Sequence, residues 1–171
     1  MALRDIVLYP DDPLTEKAAP IDTFGPELAK LAEDMLETMD AYDGVGLAGP
    51  QVGVSRRILV CREPDAEPRC LVNPEIIARD GKETAEEGCL SLPALYAPVA
   101  RATKIKVRAC DPMGRSLEFE ATNLLARIIQ HECDHLDGIV FLDRLDVLTR
   151  QAKLQEWEEI RQQLSAAAET A

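Results

Sequence analysis

Apolar side chains recur along this chain with two different spacings. Leu28, Leu31, Ala32, Met35, Leu36 and Met39 stand at i, i+3, i+4, i+7, i+8 and i+11, the repeat of a helix that buries one face. Gly25-Pro26 opens the run, with proline at an early position where its missing N–H is no loss. The spacing predicts a helix over about 26–41. The middle of the chain reads differently. Arg57 to Cys61 is a short apolar strand, and Cys70–Asn73 and Glu75–Ala78 read as two more, followed by a turn at Asp80-Gly81. From Lys104 to Cys110 the pattern alternates, with Ile105, Val107 and Ala109 on one side and Lys104, Lys106 and Arg108 on the other. A turn at Asp111-Pro112-Met113-Gly114 and the alternating Leu117 and Phe119 complete an antiparallel hairpin.

The helical repeat then returns. Leu124, Ile128, His131 and His135 fall on one face, with Thr122 or Asn123 as the starting cap and Gly138 as the stop. A last helix is expected from about Asp146 to Ala168, with Leu154, Trp157, Ile160 and Leu164 as its buried stripe. Strands cluster in the middle and helices at each end, which favours α+β over a doubly wound α/β fold. No linker interrupts the 171 residues, so the expectation is a single domain over 1–171, with 146–171 as its C-terminal helix. Residues 1–25, rich in Pro, Asp and Thr, are expected to wrap the surface as an arm or first strand.

Between the first helix and the first strand lies Asp43-Gly44-Val45-Gly46-Leu47-Ala48-Gly49-Pro50-Gln51-Val52-Gly53. Glycines at this density mark a backbone that turns sharply or that something approaches closely. A phosphate loop is disfavoured, because no Gly-Lys-Ser/Thr ends the segment and no strand precedes it.

Composition narrows the function classes. The net charge of −12 argues against general binding to nucleic-acid backbones, which needs clustered cations. No apolar run reaches the roughly 20 residues of a membrane helix. The N-terminus lacks the long apolar core of a signal peptide and is interrupted by Asp5, so a cytoplasmic protein with no membrane partner is expected. Five widely spaced cysteines fit a reactive or metal-binding thiol better than a disulfide framework.

The chemistry concentrates in Gln130-His131-Glu132-Cys133-Asp134-His135, which holds both histidines of the chain. On a helix, positions i and i+4 lie one above the other, so His131 and His135 can share one metal ion. Glu132 is about 100° round from His131, placed to act on water rather than to ligate. H-E-x-x-H is the pattern of a hydrolytic metal centre, although it also occurs by chance. A catalytic site needs a third protein ligand and an open position. Cys133 is about 200° from His131 and points away. Cys61, Cys70 and Cys110 lie in apolar strands, where a thiol behaves as a small hydrophobe. Cys89, after Glu87-Gly88 in a segment ending at Pro93, is favoured among the cysteines, while a distant Asp or Glu stays open. Ser91 is rejected as a nucleophile, since no third histidine exists to serve as its base.

Three segments together resemble the peptide deformylase family: Gly44-Val45-Gly46-Leu47-Ala48-Gly49-Pro50-Gln51, Glu87-Gly88-Cys89-Leu90-Ser91 and Gln130-His131-Glu132-Cys133-Asp134-His135. The similarity runs from the N-terminal arm to about Leu145. It implies an α+β fold in which antiparallel strands surround a central metal-binding helix. It implies metal ligation by Cys89, His131 and His135, by Fe²⁺ in the cell, with Ni²⁺, Co²⁺ or Zn²⁺ able to substitute. The implied reaction is hydrolysis of the N-formyl group from the initiator methionine of N-formylmethionyl nascent peptides. Glu132 would be the general base, with the Gln51 amide and the Leu90 backbone N–H as donors to the developing oxyanion. Gly44 and Gly46 would leave backbone groups free for an extended peptide, and Val45, Leu124 and Ile128 would line the methionine pocket. Glu87 is expected to pair with Arg101 behind the site.

The chain also departs from the family pattern. Gly49 stands where Ala is common, and Tyr96 where some members carry arginine. Some members dock on the ribosome through a basic terminal helix; here three Lys or Arg face four Glu from Arg150 onward, which disfavours that contact. An endopeptidase and a non-catalytic metal-stabilised binding protein are the rival readings.

Overall fold

The computed structural model describes residues 2–170; Met1 and Ala171, the ends of the expected domain, lie outside them. The first helix, α1, spans Pro26–Ala41, as its apolar repeat predicts, and buries Leu28, Ala32, Met35 and Met39. Strands β1 (Gly46–Ala48), β2 (Ile58–Cys61), β3 (Arg69–Asp80), β6 (Lys104–Cys110) and β7 (Ser116–Thr122) form an antiparallel sheet in the order β1-β2-β3-β6-β7. A separate two-stranded sheet pairs β4 (Glu83–Cys89) with β5 (Leu92–Arg101). The histidine helix α2 spans Asn123–Leu136, and α3 spans Val147–Thr170. The α+β class is as expected.

Helix α2 lies on the five-stranded sheet. Its Leu125, Ala126, Ile129, Cys133 and Leu136 join Leu59, Leu71, Ile105, Val107 and Ala121 in one apolar cluster. The other side of α2 carries His131, Glu132 and His135, also buried, so this helix is covered on almost every face. A second cluster packs α1 against the sheet, with Met35, Met39, Leu47, Ile58 and Val72. A third holds the β4–β5 hairpin through Leu92, Leu95, Ala97 and Val99, packed on Phe141, Leu142 and Trp157.

Several expectations need correction. The two strands read at Cys70–Asn73 and Glu75–Ala78 are one strand, β3, with a register shift between Val72 and Glu75. Pro74 lacks a ladder donor and Asn73 has a φ of 51°, so the chain bulges there instead of ending. Thr122 stands at the N-cap of α2, one of the two residues expected there, but makes no side-chain capping hydrogen bond. Gly138, at φ 75°, does stop that helix, whose last described residue is Leu136. In α3 Trp157 is buried, whereas Leu164 is 40% exposed and outside the packed stripe. Residues 2–25 form the expected arm rather than a strand. It buries Leu14, Ala18 and Ile21 and is tied down by Val7 N–H to Gln51 O (2.8 Å), Tyr9 N–H to Ser91 O (3.0 Å) and Ala18 N–H to Leu136 O (2.8 Å). At Gly49 a methyl would lie 2.7 Å from Arg56 O and 2.8 Å from Val54 O, so the glycine permits a tight fold-back. Among the described residues, no helix is long and apolar enough to cross a membrane.

Candidate metal centre and cleft

Residues from β4 and α2 meet on the side of α2 that faces away from the five-stranded sheet. Cys89 ends β4 at the hairpin turn, and His131 and His135 are one helical turn apart. The Cys89, His131 and His135 donor atoms all lie within 4.8 Å of one another. Cys89 Sγ is 3.4 Å from His135 Nε2. His131 Nδ1 lies 2.8 Å from Glu87 Oε1. That contact leaves Nε2 to face the centre, the arrangement by which a carboxylate orients a ligating imidazole. Cys133 packs in the sheet-facing cluster and points away, as the helical angle requires.

Burial and charge shift the titration of the side chains at this centre. Burial pushes the Glu132 carboxyl up to about 7, with the Glu87 and Asp134 charges adding to the rise and His131 and Arg101 opposing it. Burial opposes charging of His131, but hydrogen bonds to Cys89 and Glu87 and the Glu132 charge hold its pKa well above 6.5. Burial and the neighbouring His131 and Arg101 charges push His135 well below 6.5. Burial would raise Glu87, yet hydrogen bonds from His131 and Arg101 bring it down to about 2. The thiols of Cys61, Cys70 and Cys133 are pushed up to about 12, chiefly by burial.

Glu132 is 4% exposed, and its Oε2 has no hydrogen-bond partner among the described residues; neither has His135 Nδ1. A buried carboxylate oxygen without a partner is costly unless something not made of protein meets it. One thiol, two imidazoles and an open side suit a divalent transition metal in a catalytic rather than a closed structural site.

Gln51 lies in the 3₁₀ turn after β1 and is 1% exposed. Its Oε1 accepts from Ala48 N–H at 2.9 Å, which turns Nε2 toward Ser91 Oγ (3.2 Å) and Cys89 Sγ (3.6 Å). Ser91 is thus a buried acceptor beside the cleft. The expected Glu87–Arg101 pair is present and two-pronged, at 2.9 and 3.0 Å. Arg101 also donates to Asp134 at 2.6 Å, and Asp134 accepts from Arg144 at 2.7 and 3.0 Å, so Asp134 is a buried member of this network.

A cleft of about 540 Å³ opens above the centre. Gly44, Val45, Gly46, Gln51, Cys89, Leu90, Leu124, Ile128, His131 and Glu132 all line it, so every site residue expected from the sequence except His135 reaches the cleft wall. His135 sits beneath, fully buried. Tyr42, Val45, Tyr96 and Leu124 form an exposed apolar mouth. Gly46 owes its absent side chain to Glu132: a Cβ there would lie 2.6 Å from Glu132 Oε1 and 2.9 Å from Ile128 Cγ2.

Sequence reasoning missed Arg127. Its Nη1 donates to Glu87 Oε2 (2.6 Å) and Val99 O (2.8 Å), and its Nη2 to Glu83 O (2.7 Å). A lone arginine on a helix face carries no sequence signal until the β4–β5 hairpin is known. That hairpin also escaped notice, because Pro93 and Pro98 interrupt the reading of its second strand.

In chemical terms this centre belongs with the metal-dependent hydrolases, whose sites combine an open coordination position with a nearby general base. Comparison with known proteins narrows the class. The family model for polypeptide deformylase matches residues 3–151. A peptide deformylase from Alkalilimnicola ehrlichii is 46% identical over 166 residues, covering 95% of this chain and 93% of that protein. The solved peptide deformylase of Thermus thermophilus superposes with a TM-score of 0.90 at 44% identity, over 96% of this chain and 99% of that one. A peptide deformylase structure from Legionella pneumophila gives a TM-score of 0.90 at 40% identity, over 96% and 98%. The chain belongs to the polypeptide deformylase family, metal-dependent hydrolases that remove the N-formyl group from nascent polypeptides.

Proposed function

We propose that Cys89, His131 and His135 hold one divalent metal ion and that Glu132 moves the protons of formyl hydrolysis at it, releasing formate from formyl-methionine at the start of new polypeptides. The observation that carries this reading is the three-ligand cluster beside a buried glutamate oxygen without a partner. The ion is Fe²⁺ in the cell, with Ni²⁺, Co²⁺ or Zn²⁺ able to replace it, since a thiolate with two imidazoles accepts all four. When bound, it supplies Lewis acidity, which makes water nucleophilic near neutral pH and draws charge from the formyl carbonyl.

The protein side chains do the rest. Glu132 takes a proton from the attacking water and passes it to the departing amine, a task suited to a carboxyl that titrates near neutrality. The Gln51 Nε2–H₂, aimed by the Ala48 contact, and the Leu90 backbone N–H donate to the formyl oxygen as it gains charge. Loss of one such donor typically costs about 3 kcal/mol of barrier.

Strand β1 is an edge of its sheet, so Gly44 and Gly46 offer backbone to an extended peptide, with Val45 between them as cleft wall. Leu124 and Ile128 provide apolar wall for a flexible thioether. All of this is the work of a single catalytic domain over 1–171, acting in the cytoplasm. Ribosome docking through α3 is disfavoured by that helix's excess of Glu over Lys and Arg.

The test is to incubate metal-loaded protein with a formyl-methionyl peptide and its acetylated counterpart, assaying formate and internal fragments. Formate release without internal cleavage supports the proposal. Internal fragments without formate would replace it with an endopeptidase, and neither product with a binding protein.

A further inference from the structure

The three proposed ligands come from two bodies that share no sheet. Cys89 belongs to the β4–β5 hairpin and the histidines to α2. The apolar clusters keep these bodies apart: α2 packs with the five-stranded sheet, while the hairpin packs with Phe141, Leu142 and Trp157 in a cluster holding no α2 side chain. What joins hairpin to helix at the site is therefore chiefly polar. Glu87 on β4 meets His131, and Arg101 on β5 meets Asp134. Arg127, reaching back from α2, grips both strands at once.

We infer that Arg127 is a positioning residue, a clasp that holds the Cys89 hairpin against the histidine helix and so sets how tightly the metal is kept. The inference rests on the metal reading above and adds a residue to it. The geometry is specific to arginine. One guanidinium spans the Glu87 carboxylate and the Val99 carbonyl with one nitrogen and the Glu83 carbonyl with another. A lysine offers a single point of charge and cannot span all three. Arg127 is also separable from the buried network. Without it Glu87 keeps its two-pronged bond to Arg101 and its bond to His131, so no charge is left unpaired. What is lost is the link from the helix to the backbones of both strands. Partners beyond the ligands themselves typically account for 10–100-fold in metal affinity.

The experiment measures Ni²⁺ release from loaded full-length protein to excess chelator for wild type, Arg127→Ala, Arg127→Lys and Arg57→Ala, with the thiolate-to-metal absorption of the Co²⁺ forms as a second readout. Arg57 is the control. It secures the far end of α2, through Leu136 O at 2.8 Å and Asp137 at 3.0 Å, and touches neither hairpin nor ligands. The expected result is release accelerated about 10–100-fold in Arg127→Ala, severalfold in Arg127→Lys, and unchanged in Arg57→Ala even where thermal stability falls. A shifted Co²⁺ thiolate band in the Arg127 variants accompanies it. Wild-type release rates in Arg127→Ala overturn the clasp, as does equal acceleration in Arg57→Ala, which would make the effect one of general stability. Should Arg127→Ala not fold, Arg127→Lys decides alone, and a wild-type rate there overturns the clasp. A wild type that holds no Ni²⁺ overturns the metal reading and the clasp with it.

Discussion

Gly46→Ala isolates the placement of Glu132 from the holding of the metal. The added methyl would lie 2.6 Å from Glu132 Oε1, 2.9 Å from Glu132 Cγ and 2.9 Å from Ile128 Cγ2. Ordinary contact begins at 3.4 Å, so the carboxylate oxygen has to retreat by about 0.8 Å. The backbone has little freedom to absorb this, since Gly46 is paired with Cys61 in the sheet and α2 is packed on almost every face. A misplacement of about 1 Å costs roughly 100-fold in rate. Gly46→Ala should therefore lower kcat for formate release by about that factor, while metal content stays at the wild-type level, because Cys89, His131 and His135 are untouched. Gly44→Ala is the paired comparison. Its methyl meets Leu90 Cδ1 at 2.9 Å, the far end of a flexible side chain, and activity should fall only a few-fold. The assay is formate release at matched metal occupancy, with thermal melting to verify folding. Wild-type kcat in Gly46→Ala, or loss of metal as the cause of its inactivity, would refute the reasoning.

Two further outcomes follow from the titration behaviour of the site. Glu87 titrates at about 2 when folded and near 4.5 otherwise, so the unfolded chain binds more protons between those values. Its contribution to stability is fully present above about pH 4.5 and is lost as pH falls toward 2, on the order of 3 kcal/mol; urea unfolding of wild type against Glu87→Gln should show a steeper acid loss in the wild type. His131 holds its proton well above pH 6.5 without metal, and that proton must leave for the ring nitrogen to ligate. Metal affinity should therefore rise with pH beyond the usual histidine range, with proton release detectable by calorimetry in two buffers of different ionisation enthalpy; affinity flat across that range would contradict this.

Much of the site was legible in the chain because its chemistry is local in sequence. His131, Glu132 and His135 lie within five residues on a helix whose periodicity is plain. Their mutual placement follows from 3.6 residues per turn alone. The α1 stripe and the β6–β7 alternation were readable for the same reason, each being a repeat that one buried face imposes. Cys89 was a weaker inference, since its approach to the helix depends on a long-range pairing of hairpin and helix. The β4–β5 hairpin itself stayed hidden: in β5, Leu95, Ala97, Val99 and Arg101 are buried at a period of two, yet Pro93, Pro98 and a buried arginine disguise the pattern. Strand β1 read as loop because it is only three residues long and glycines crowd its ends. The structure shows that Gly46 is there for the Glu132 carboxylate, a contact spanning 86 residues of sequence that no local rule encodes. Arg127 was invisible for the same reason, as two of its three partners are backbone carbonyls of strands not recognised beforehand.

The most direct test of the central claim compares wild type with Glu132→Ala, both loaded anaerobically with Fe²⁺ or Ni²⁺, on formyl-Met-Ala-Ser. Metal content and formate are measured in the same samples. The account predicts formate release by the wild type and a rate lower by orders of magnitude in the variant, with equal metal bound in both. Equal rates at equal metal content, or no formate from fully loaded wild type, would contradict it.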